Sequence, residues 1–386
     1  MNGLSYQSTQ PNNNRDTYSP LDQIDWLVKI RPGYEIVANS LRITGILKTV
    51  TTTIDASNNI FGPLPVTPEQ CVFLNPYGGA HTLFRSFQST CAGNIVENIV
   101  QYARYASMMK QANNTLTTLS CSTRDSTELC GVKNNHQIVG EVGVDGCSFS
   151  IQPMVALNRT SANIQSGKFS VIRLQTQLSA ALECFYTTSG QNNLKFNVNS
   201  INYSLSKLLL QWHEVPTMTL NKEPMMFQNI FLCSSSIVSK LSNITLQSPN
   251  QCDAVFTSFI AQKHQNKLDC DNNLSEYVPQ INRMEWTINS FNNPLNYAIQ
   301  NNGNLGNCYP DIGLNFAKAL NAGPKNSVMN LVDSEHWAFG IGCAFSSGIS
   351  DKITQTMTIS DLSTGDEDPS VNPLQAYSYL NTYVYL

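Results

Sequence analysis

The feature that most constrains this chain is a succession of short runs in which apolar and polar residues alternate. The run from Phe169 to Leu178 shows this pattern, and so does the run from Leu194 to Ile201. Alternation with a period of two marks strands with one buried face. Strands are predicted at 34–38, 40–54, 71–75, 83–90, 147–154, 169–178, 194–201, 203–215, 225–247, 281–291, 336–345, 353–362 and 376–386. Clusters of Asn, Gly, Pro and Ser separate them, which indicates an all-β, antiparallel β-sandwich.

Two segments depart from this pattern and predict short helices inserted between strands. The first is 94–112, with Asn94 as its N-cap and Glu97 three residues later in the position of a capping box. Its apolar residues recur at helical spacing: Ile95, Ile99, Tyr102, Ala106 and Met109. The second is 313–322. One helix therefore falls between strands in each half of the chain.

The order of these elements predicts two sandwiches in tandem. The chain has 386 residues, enough for two domains of about 100 to 200 residues each. Residues 213–224 contain two prolines and mixed polarity, so they predict a linker between domains at 23–216 and 217–386. The alternative is that residues from about 220 to 330 are an insertion between strands of a single sandwich. Residues 1–22 are polar and rich in Pro and Asn, which predicts either a flexible arm that becomes ordered on a partner surface or a simple frayed terminus.

The charge content argues against a protein that binds nucleic acid by itself. Charged residues make up 13% of the chain, against about 25% in an average protein. The net charge is -4, the pI is about 5.7, and no run of Lys or Arg occurs. A nucleic-acid footprint needs clustered basic residues. A neutral polar surface instead suits association with other protein surfaces.

The cysteines predict free, largely buried thiols in a reducing compartment. There are 11 of them, an odd number, and none forms a CxxC pair, so neither a zinc site nor a disulfide framework is expected. They are Cys71, Cys91, Cys121, Cys130, Cys147, Cys184, Cys233, Cys252, Cys270, Cys308 and Cys343. No signal-peptide pattern and no apolar run of membrane-spanning length is seen, so we expect synthesis and folding in the cytoplasm.

Histidines and glycines offer no recognisable catalytic spacing. The chain has His81, His136, His213, His264 and His336. Asp333, Ser334, Glu335 and His336 are triad residue types, but adjacent residues point to different faces and cannot form a nucleophile relay. Gly78 and Gly79 lack the spacing of a phosphate loop and predict a tight turn.

Carboxylates and thiols likewise have structural explanations. Glu97 is expected to cap a helix, and the acidic run at 366–368 (Asp366, Glu367, Asp368) is expected in a solvated loop. Cys184 and Cys343 would be nucleophiles only beside a histidine, and core cysteine is the simpler interpretation. We therefore predict no catalytic, cofactor-binding or metal-binding residues, and no enzyme.

The aromatic residues leave a binding alternative open. The four tryptophans and the alternating C-terminal tyrosines are of the type that stacks on sugar rings: Trp26, Trp212, Trp286, Trp337, Tyr377, Tyr379, Tyr383 and Tyr385. A half-buried strand face or a protein interface explains the same pattern.

This combination of strands, inserted helices and few charges resembles the jelly-roll capsid proteins of icosahedral double-stranded DNA viruses, including the double jelly-roll and virophage-type proteins. The segments most similar to that family are ANSLRITGILKTV (38–50) and GGAHTLFRSFQSTCAGNIVENIVQYARY (78–105). The resemblance implies two rolls, each of eight strands in two four-stranded sheets. It also implies self-assembly into trimeric, pseudo-hexagonal capsomers of a virion, with neighbouring capsid proteins as partners, loops as outer towers and terminal arms that lock neighbouring capsomers.

Two other functions remain open at this point. A pentameric penton (vertex) protein with one roll and an insertion would have a similar length. A glycan-binding β-sandwich of a fibre or lectin would explain the aromatic residues. No cofactor, no sequence-specific nucleic acid and no membrane span is expected in any of these cases.

Overall fold

The computed structural model describes most of the chain. The described residues are 3–55, 57–66, 72–75, 78–113, 128–129, 146–160, 162–187, 197–217, 223–248, 251–267, 281–288, 295–300, 316, 319, 340–349, 352–359 and 368–386.

Strands dominate both halves. The first half contains β1 (Ser5–Thr9), β2 (Thr17–Tyr18), β3 (Gln23–Lys29), β4 (Tyr34–Ile36), β5 (Arg42–Ile54), β6 (Ile60–Pro65), β7 (Val72–Leu74), β8 (Phe84–Cys91), β9 (Asn94–Val100), β10 (Cys147–Ile151), β11 (Ile164–Gln165), β12 (Val171–Leu178), β13 (Phe185–Thr187) and β14 (Asn197–Pro216). The second half contains β15 (Met226–Ile237), β16 (Leu241–Gln247), β17 (Cys252–Ala261), β18 (Ile281–Ile288), β19 (Leu295–Gln300), β20 (Ile341–Ile349), β21 (Lys352–Ile359) and β22 (Leu374–Tyr385). The helices are α1 (Tyr102–Asn113) and α2 (Ala181–Cys184), with 3-10 turns at Gly79–Leu83, Ala156–Asn158 and Gln262–His264.

The second half forms two four-stranded antiparallel sheets. One has the order β15-β22-β17-β20 and the other β16-β21-β18-β19. Counted along the chain, these orders are first, eighth, third, sixth and second, seventh, fourth, fifth. Eight strands in this arrangement make a jelly roll. Residues 226–300 thus supply strands to the same two sheets as β20, β21 and β22.

The first half repeats this order. In one sheet, β14 pairs with β1 and β2 on one side and with β4 and β5 on the other. On the far side of these strands, β11 pairs with β4 and β10 pairs with β5. The other sheet has the order β3-β12-β8-β9. With β1–β2, β4–β5 and β10–β11 each taken as one interrupted strand, and with the short strands β6, β7 and β13 left out of the count, the order is again first, eighth, third, sixth and second, seventh, fourth, fifth. The tandem jelly-roll fold predicted from the sequence is therefore confirmed.

Side-chain alternation explains which strands the sequence pattern detects. In β12, Ile172 and Leu174 are buried while Arg173 points outward to Asp25. In contrast, β17 lies between β22 and β20 and is buried along nearly its whole length. Such a central strand loses its alternation, and the sequence analysis did not predict it.

The helix predicted at 94–112 begins eight residues later than expected, because Asn94–Val100 forms strand β9 paired with β8. Asn94 is therefore not an N-cap, and Glu97 is not part of a capping box. Only Tyr102–Asn113 is helical. Gln101, at the junction, has a φ of 57°, and this left-handed residue turns the strand into the helix. Of the helix predicted at 313–322, Phe316 and Ala319 are described and helical, and its other residues lie outside the described part.

Part of the predicted N-terminal arm is a strand of this chain's own first roll. Residues Ser5–Thr9 pair in antiparallel register with Thr9 opposite Leu210 and Ser5 opposite Glu214 on β14. Thr17 and Tyr18 pair with the same strand further along, and Tyr18 is buried. Backbone pairing with β14, together with the burial of Tyr18, holds this largely polar segment in place.

Two strands predicted at 194–201 and 203–215 are a single strand, β14, of 20 residues. Bulges between Val198 and Ser200 and between Ser206 and Leu209 interrupt its pairing with β5. Lys207, inside the second bulge, has a φ of 50°. Each bulge shifts the alternation, so no single period of two runs through the whole of β14.

Candidate functional site

The two rolls pack against each other through aromatic side chains. Tyr379 on β22 donates a hydrogen bond of 3.0 Å from its hydroxyl to the carbonyl of Gln101 in the first roll. Its ring lies 5.3 Å from that of Tyr105 on α1. The guanidinium of Arg104 lies 4.7 Å from the ring centre of Tyr377. Burial raises the pKa of Tyr379, so its hydroxyl stays protonated and remains a donor.

A buried ion pair lies beside this aromatic contact. The guanidinium of Arg159 pairs with the carboxylate of Glu97, and both side chains are almost fully buried. The same carboxylate accepts a 2.6 Å hydrogen bond from the backbone N–H of Ala156. Arg159 also donates to the Tyr105 hydroxyl and to the carbonyl of Gln228 on β15, each at 3.2 Å. Burial lowers the pKa of Arg159 to about 9, which leaves it charged at neutral pH, as a buried carboxylate partner requires.

The apolar core of the first roll extends into the second roll, which also has a separate core cluster of its own. The shared cluster joins residues of the first roll to Phe227, Phe256 and Tyr379 of the second. The rings of Phe169 and Phe227 are 5.7 Å apart. A large apolar contact of this kind fixes the two domains relative to each other.

A second buried polar cluster links three separate segments of the first roll. The Nδ1 atom of His81 lies 2.8 Å from the Tyr102 hydroxyl, and its Nε2 atom lies 3.6 Å from the carboxylate of Glu128. Lys110 on α1 pairs with the same carboxylate, and the backbone N–H of Ala80 donates to the Glu128 carbonyl at 2.7 Å. Burial acts to raise the pKa of Glu128, but His81 and Lys110 outweigh it and hold the pKa well below the ordinary range. All four side chains are buried, so the cluster attaches residue 128 to α1 rather than facing a substrate.

The other sequence-predicted histidines and glycines occupy structural positions. His213 lies on β14, with its ring 5.8 Å from that of Tyr6 on β1. His264 belongs to a 3-10 turn. Gly78 and Gly79 are at the start of the 3-10 turn that carries His81. His136 and residues 333–336, including His336, lie outside the described residues.

The predicted carboxylate candidates do not form a catalytic pair. Glu97 belongs to the buried ion pair with Arg159. Asp368 accepts hydrogen bonds from the backbone and side chain of Ser370, at 2.9 and 2.7 Å, and therefore caps a turn. Asp366 and Glu367 lie outside the described residues.

Six cysteines are described, and each is a free thiol. Cys91, Cys184, Cys252 and Cys343 are buried, while Cys147 and Cys233 are partly buried. Burial raises the pKa of Cys91, Cys252 and Cys343 to about 12. Cys184 donates to the carbonyl of Thr82 at 3.1 Å. The four buried cysteines are core thiols. Cys71, Cys121, Cys130, Cys270 and Cys308 lie outside the described residues.

The aromatic residues considered for sugar stacking are largely internal. Trp26, Trp212 and Trp286 are buried, and so is Tyr379; Trp337 lies outside the described residues. The Tyr383 hydroxyl is bound to the carboxylate of Asp253. Among the described members of this set, only Tyr385 is an exposed large side chain, and one ring does not make a stacking platform.

Neither a metal centre nor a transmembrane helix is found in the described part of the chain. No group of three or more His, Cys, Asp or Glu side chains comes together there in a way that could hold a metal ion. No helix among the described residues has the length and apolar character needed to cross a membrane.

Exposed apolar side chains and a groove are the remaining surface features. The edge strand β6 exposes all six of its residues, including Ile60, Phe61 and Leu64. A groove with a volume of about 320 Å³ lies between β9 of the first roll and β15 of the second. Its lining residues are Ile95, Val96, Glu97, Asn98, Val100, Asn229, Phe231, Leu232 and Ser234.

Sequence reasoning missed both the buried clusters and these surfaces. Arg159, Glu128 and Lys110 carry no local signal, because their partners are distant in sequence. The stretch IFGPLP at 60–65 did carry a sequence signal for an exposed apolar segment. Its apolar residues do not alternate with polar ones, and two asparagines precede it.

Solved structures match the chain over its full length, although no family model and no curated protein matches it. The Faustovirus major capsid protein has a TM-score of 0.60 and 9% identity, covering 100% of this chain and 90% of the viral chain. A chain from the cryo-EM structure of the Sputnik virophage has a TM-score of 0.59 and 11% identity, covering 100% and 86%. The mavirus major capsid protein has a TM-score of 0.52 and 9% identity, covering 99% and 89%. At these identities the likeness establishes the fold, which is the double jelly roll predicted by resemblance.

Proposed function

We propose that this chain is a structural capsid protein of an icosahedral double-stranded DNA virus. The observation that carries the proposal is the presence of two jelly rolls in tandem, packed against each other through a shared apolar cluster and aligned over 100% of the chain with the Faustovirus major capsid protein. Fold alone does not assign function. The low charge content and the structural roles of the candidate catalytic side chains add independent support.

Of the two capsid roles, we propose the major capsid protein, forming trimeric capsomers with a pseudo-hexagonal outline. Two rolls per chain present six similar units in a trimer. In support, residues 226–300 contribute strands to a second roll, whereas the alternative pentameric penton protein was predicted to use this region as an insertion in one roll. We take residues 23–216 and 217–386 as the two rolls, with the strands Ser5–Thr9 and Thr17–Tyr18 completing the first roll by pairing with β14.

The proposed partners are further copies of this chain and neighbouring capsid proteins. We propose no enzymatic activity, no catalytic residue, no cofactor and no sequence-specific nucleic-acid contact. The proposed location is the virion, after synthesis and assembly in the host cytoplasm. The glycan-binding alternative loses its main support, because the described tryptophans are buried.

Native mass spectrometry of the purified full chain, followed by negative-stain imaging, tests the proposal. Trimers with a pseudo-hexagonal outline are the expected result. Pentamers would support the penton role instead. A monomer that persists at high protein concentration would contradict assembly as the function.

A further inference from the structure

In the second roll, the outer face of the sheet β15-β22-β17-β20 is covered by the first roll. Residues paired across neighbouring strands share a face, so Ile230, Asn381 and Ala254 form one row of this face. Each of the three is 1% exposed or less. Ile230 and Ala254 belong to the apolar cluster shared with the first roll, and so do Tyr379 and Phe256 in the next row. This sheet face is therefore an interface within the chain.

The corresponding face of the first roll is left partly exposed in the described part of the chain. Its sheet has the same strand order, with β1–β2, β14, β4–β5 and β10–β11 in the first, eighth, third and sixth places. On the inner face Leu210 lies opposite Ile43, and both are buried. On the outer face Leu209 lies opposite Thr44 and Thr44 opposite Ser150, and all three are partly exposed. Two faces in the same topological position thus differ, because one has a jelly roll packed on it and the other does not.

The chemistry of the open face suits a protein surface. Thr44 and Ile46, in the middle of β5, are uncharged, and its two cations, Arg42 and Lys48, lie on either side of them. Arg42 already donates a 3.2 Å hydrogen bond to the Ser150 hydroxyl. Nucleic acid is held by clustered basic residues that reach several phosphates, and two separated cations do not provide this. A face of aliphatic and hydroxyl side chains with few charges resembles the central part of a protein interface.

The contact within the chain shows what kind of surface covers such a face. The first roll covers the second-roll sheet with its fifth strand, β9, and with the helix α1 that follows it. In the second roll the fifth strand is β19, which lies at the edge of its sheet as β9 does. Among the described strands β19 pairs with β18 alone. A second roll therefore presents the same kind of sheet edge that the first roll uses within the chain.

We propose that the outer face of the first-roll sheet, centred on Ile46, binds the β19 side of the second roll of a neighbouring copy. The contact between copies then repeats the contact that joins the two rolls within each copy. This inference rests on the proposed function and specifies which surfaces of the chain meet. Because the two surfaces are different, the contact is head-to-tail, which closes into a ring when the rotation permits.

A substitution on the open face of the full-length chain tests the contact. Ile46→Glu places a carboxylate on this face, two positions from Lys48. Val171→Glu is the matched control, since Val171 is a 39% exposed residue on the other sheet of the same roll and lies opposite Lys29. Each new carboxylate has a lysine nearby, so both variants are expected to keep the wild-type unfolding midpoint. Sedimentation velocity with native mass spectrometry then measures the oligomer.

We expect Ile46→Glu to weaken association by about 10-fold or more, as the loss of a central interface residue does. The control should assemble as the wild type does, because its sheet face is not part of the contact. Equal assembly of Ile46→Glu and the wild type would show that the open face lies outside the interface.

Photo-cross-linking identifies the surface that meets this face. Leu209 is replaced by the photoreactive residue benzoylphenylalanine, and this chain is mixed with heavy-isotope-labelled wild-type chain before irradiation. Mass spectrometry of the digested product then shows which residues of the labelled copy are joined to position 209. We expect links to residues 217–386, on the β19 side of the second roll.

Specific results overturn the inference and leave the proposed function intact. Links that fall within residues 1–216 of the labelled copy would show that two first rolls meet, which contradicts the head-to-tail contact. An assembled chain that gives no link between copies at position 209 would exclude the open face. If both glutamate variants lose association equally, the effect is not specific to this face, and the cross-link decides. A wild-type chain that remains monomeric contradicts the proposed function itself, and the inference with it.

Discussion

The hydroxyl of Tyr379, on the last strand of the second roll, donates a 3.0 Å hydrogen bond to the carbonyl of Gln101, where the first roll turns from β9 into α1. This bond crosses between the rolls where the Tyr379 side chain is fully buried and Gln101 is partly buried. The two rolls are consequently expected to resist separation, and the bond offers a direct test of how strongly they are coupled.

Tyr379→Phe should lower the free energy of unfolding by about 0.5–1.5 kcal/mol, the net contribution of one hydrogen bond, because the Gln101 carbonyl keeps the backbone N–H groups of Arg104 and Tyr105 as donors. Tyr385→Phe is the control, since Tyr385 is 59% exposed and should change stability little. Urea unfolding monitored by tryptophan fluorescence compares the two. Equal stability of both variants would show that the bond contributes nothing to the contact.

Glu97→Gln should destabilise the chain by about 3–5 kcal/mol, because it leaves the charge of Arg159 buried and unpaired. The matched control is Asp25→Asn, which breaks the exposed pair with Arg173 and should cost about 1 kcal/mol or less. Denaturant midpoints give both values. A loss for Glu97→Gln no larger than that of the control would mean that water reaches the Arg159 site.

Acidification should weaken the attachment of residue 128 to α1. The pKa of Glu128 is held below its ordinary value of 4.5 in the folded state, so the folded chain binds a proton there less readily than the unfolded chain. The stabilisation is fully present above the ordinary pKa and is lost as the pH falls below it. Unfolding free energies measured from about pH 6 to about pH 3 should fall more steeply for the wild type than for Glu128→Gln. Parallel curves would exclude Glu128 as a contributor.

Cys91, Cys252 and Cys343 should resist alkylation in the folded chain near pH 8. Their pKa values of about 12 leave almost no thiolate, and their burial blocks the reagent. Mass spectrometry after iodoacetamide treatment gives labelling at each site, with the urea-unfolded chain as the reference in which all three react. Rapid labelling of any of the three in the folded chain would contradict its burial.

Local patterning predicted much of the strand content. In β12 and β21 every second side chain is buried, and the alternation in sequence reports this directly. The tandem organisation also followed, because the order of strands, helix and strands occurs twice. Where a strand is buried on both faces, as in β17, or exposed on both, as in β6, the alternation vanishes and the sequence signal is lost with it.

The N-terminal segment and β9 show a different limit. Ser5–Thr9 is a strand because β14 offers it backbone partners, and Asn94–Val100 is a strand because β8 does so, although its apolar spacing suits a helix. Local propensity is weak compared with a full ladder of backbone hydrogen bonds and the burial that accompanies it. Neither outcome is visible in the residues alone.

By itself, the sequence determined an all-β chain with two successive sets of strands, few charges and no recognisable catalytic motif. These properties depend on residue type and on neighbours within a few positions. Only the tertiary structure decided that Glu97 meets Arg159 and that Tyr379 meets Gln101. Contacts between residues tens to hundreds of positions apart arise from the folding of whole sheets, and no local pattern records them.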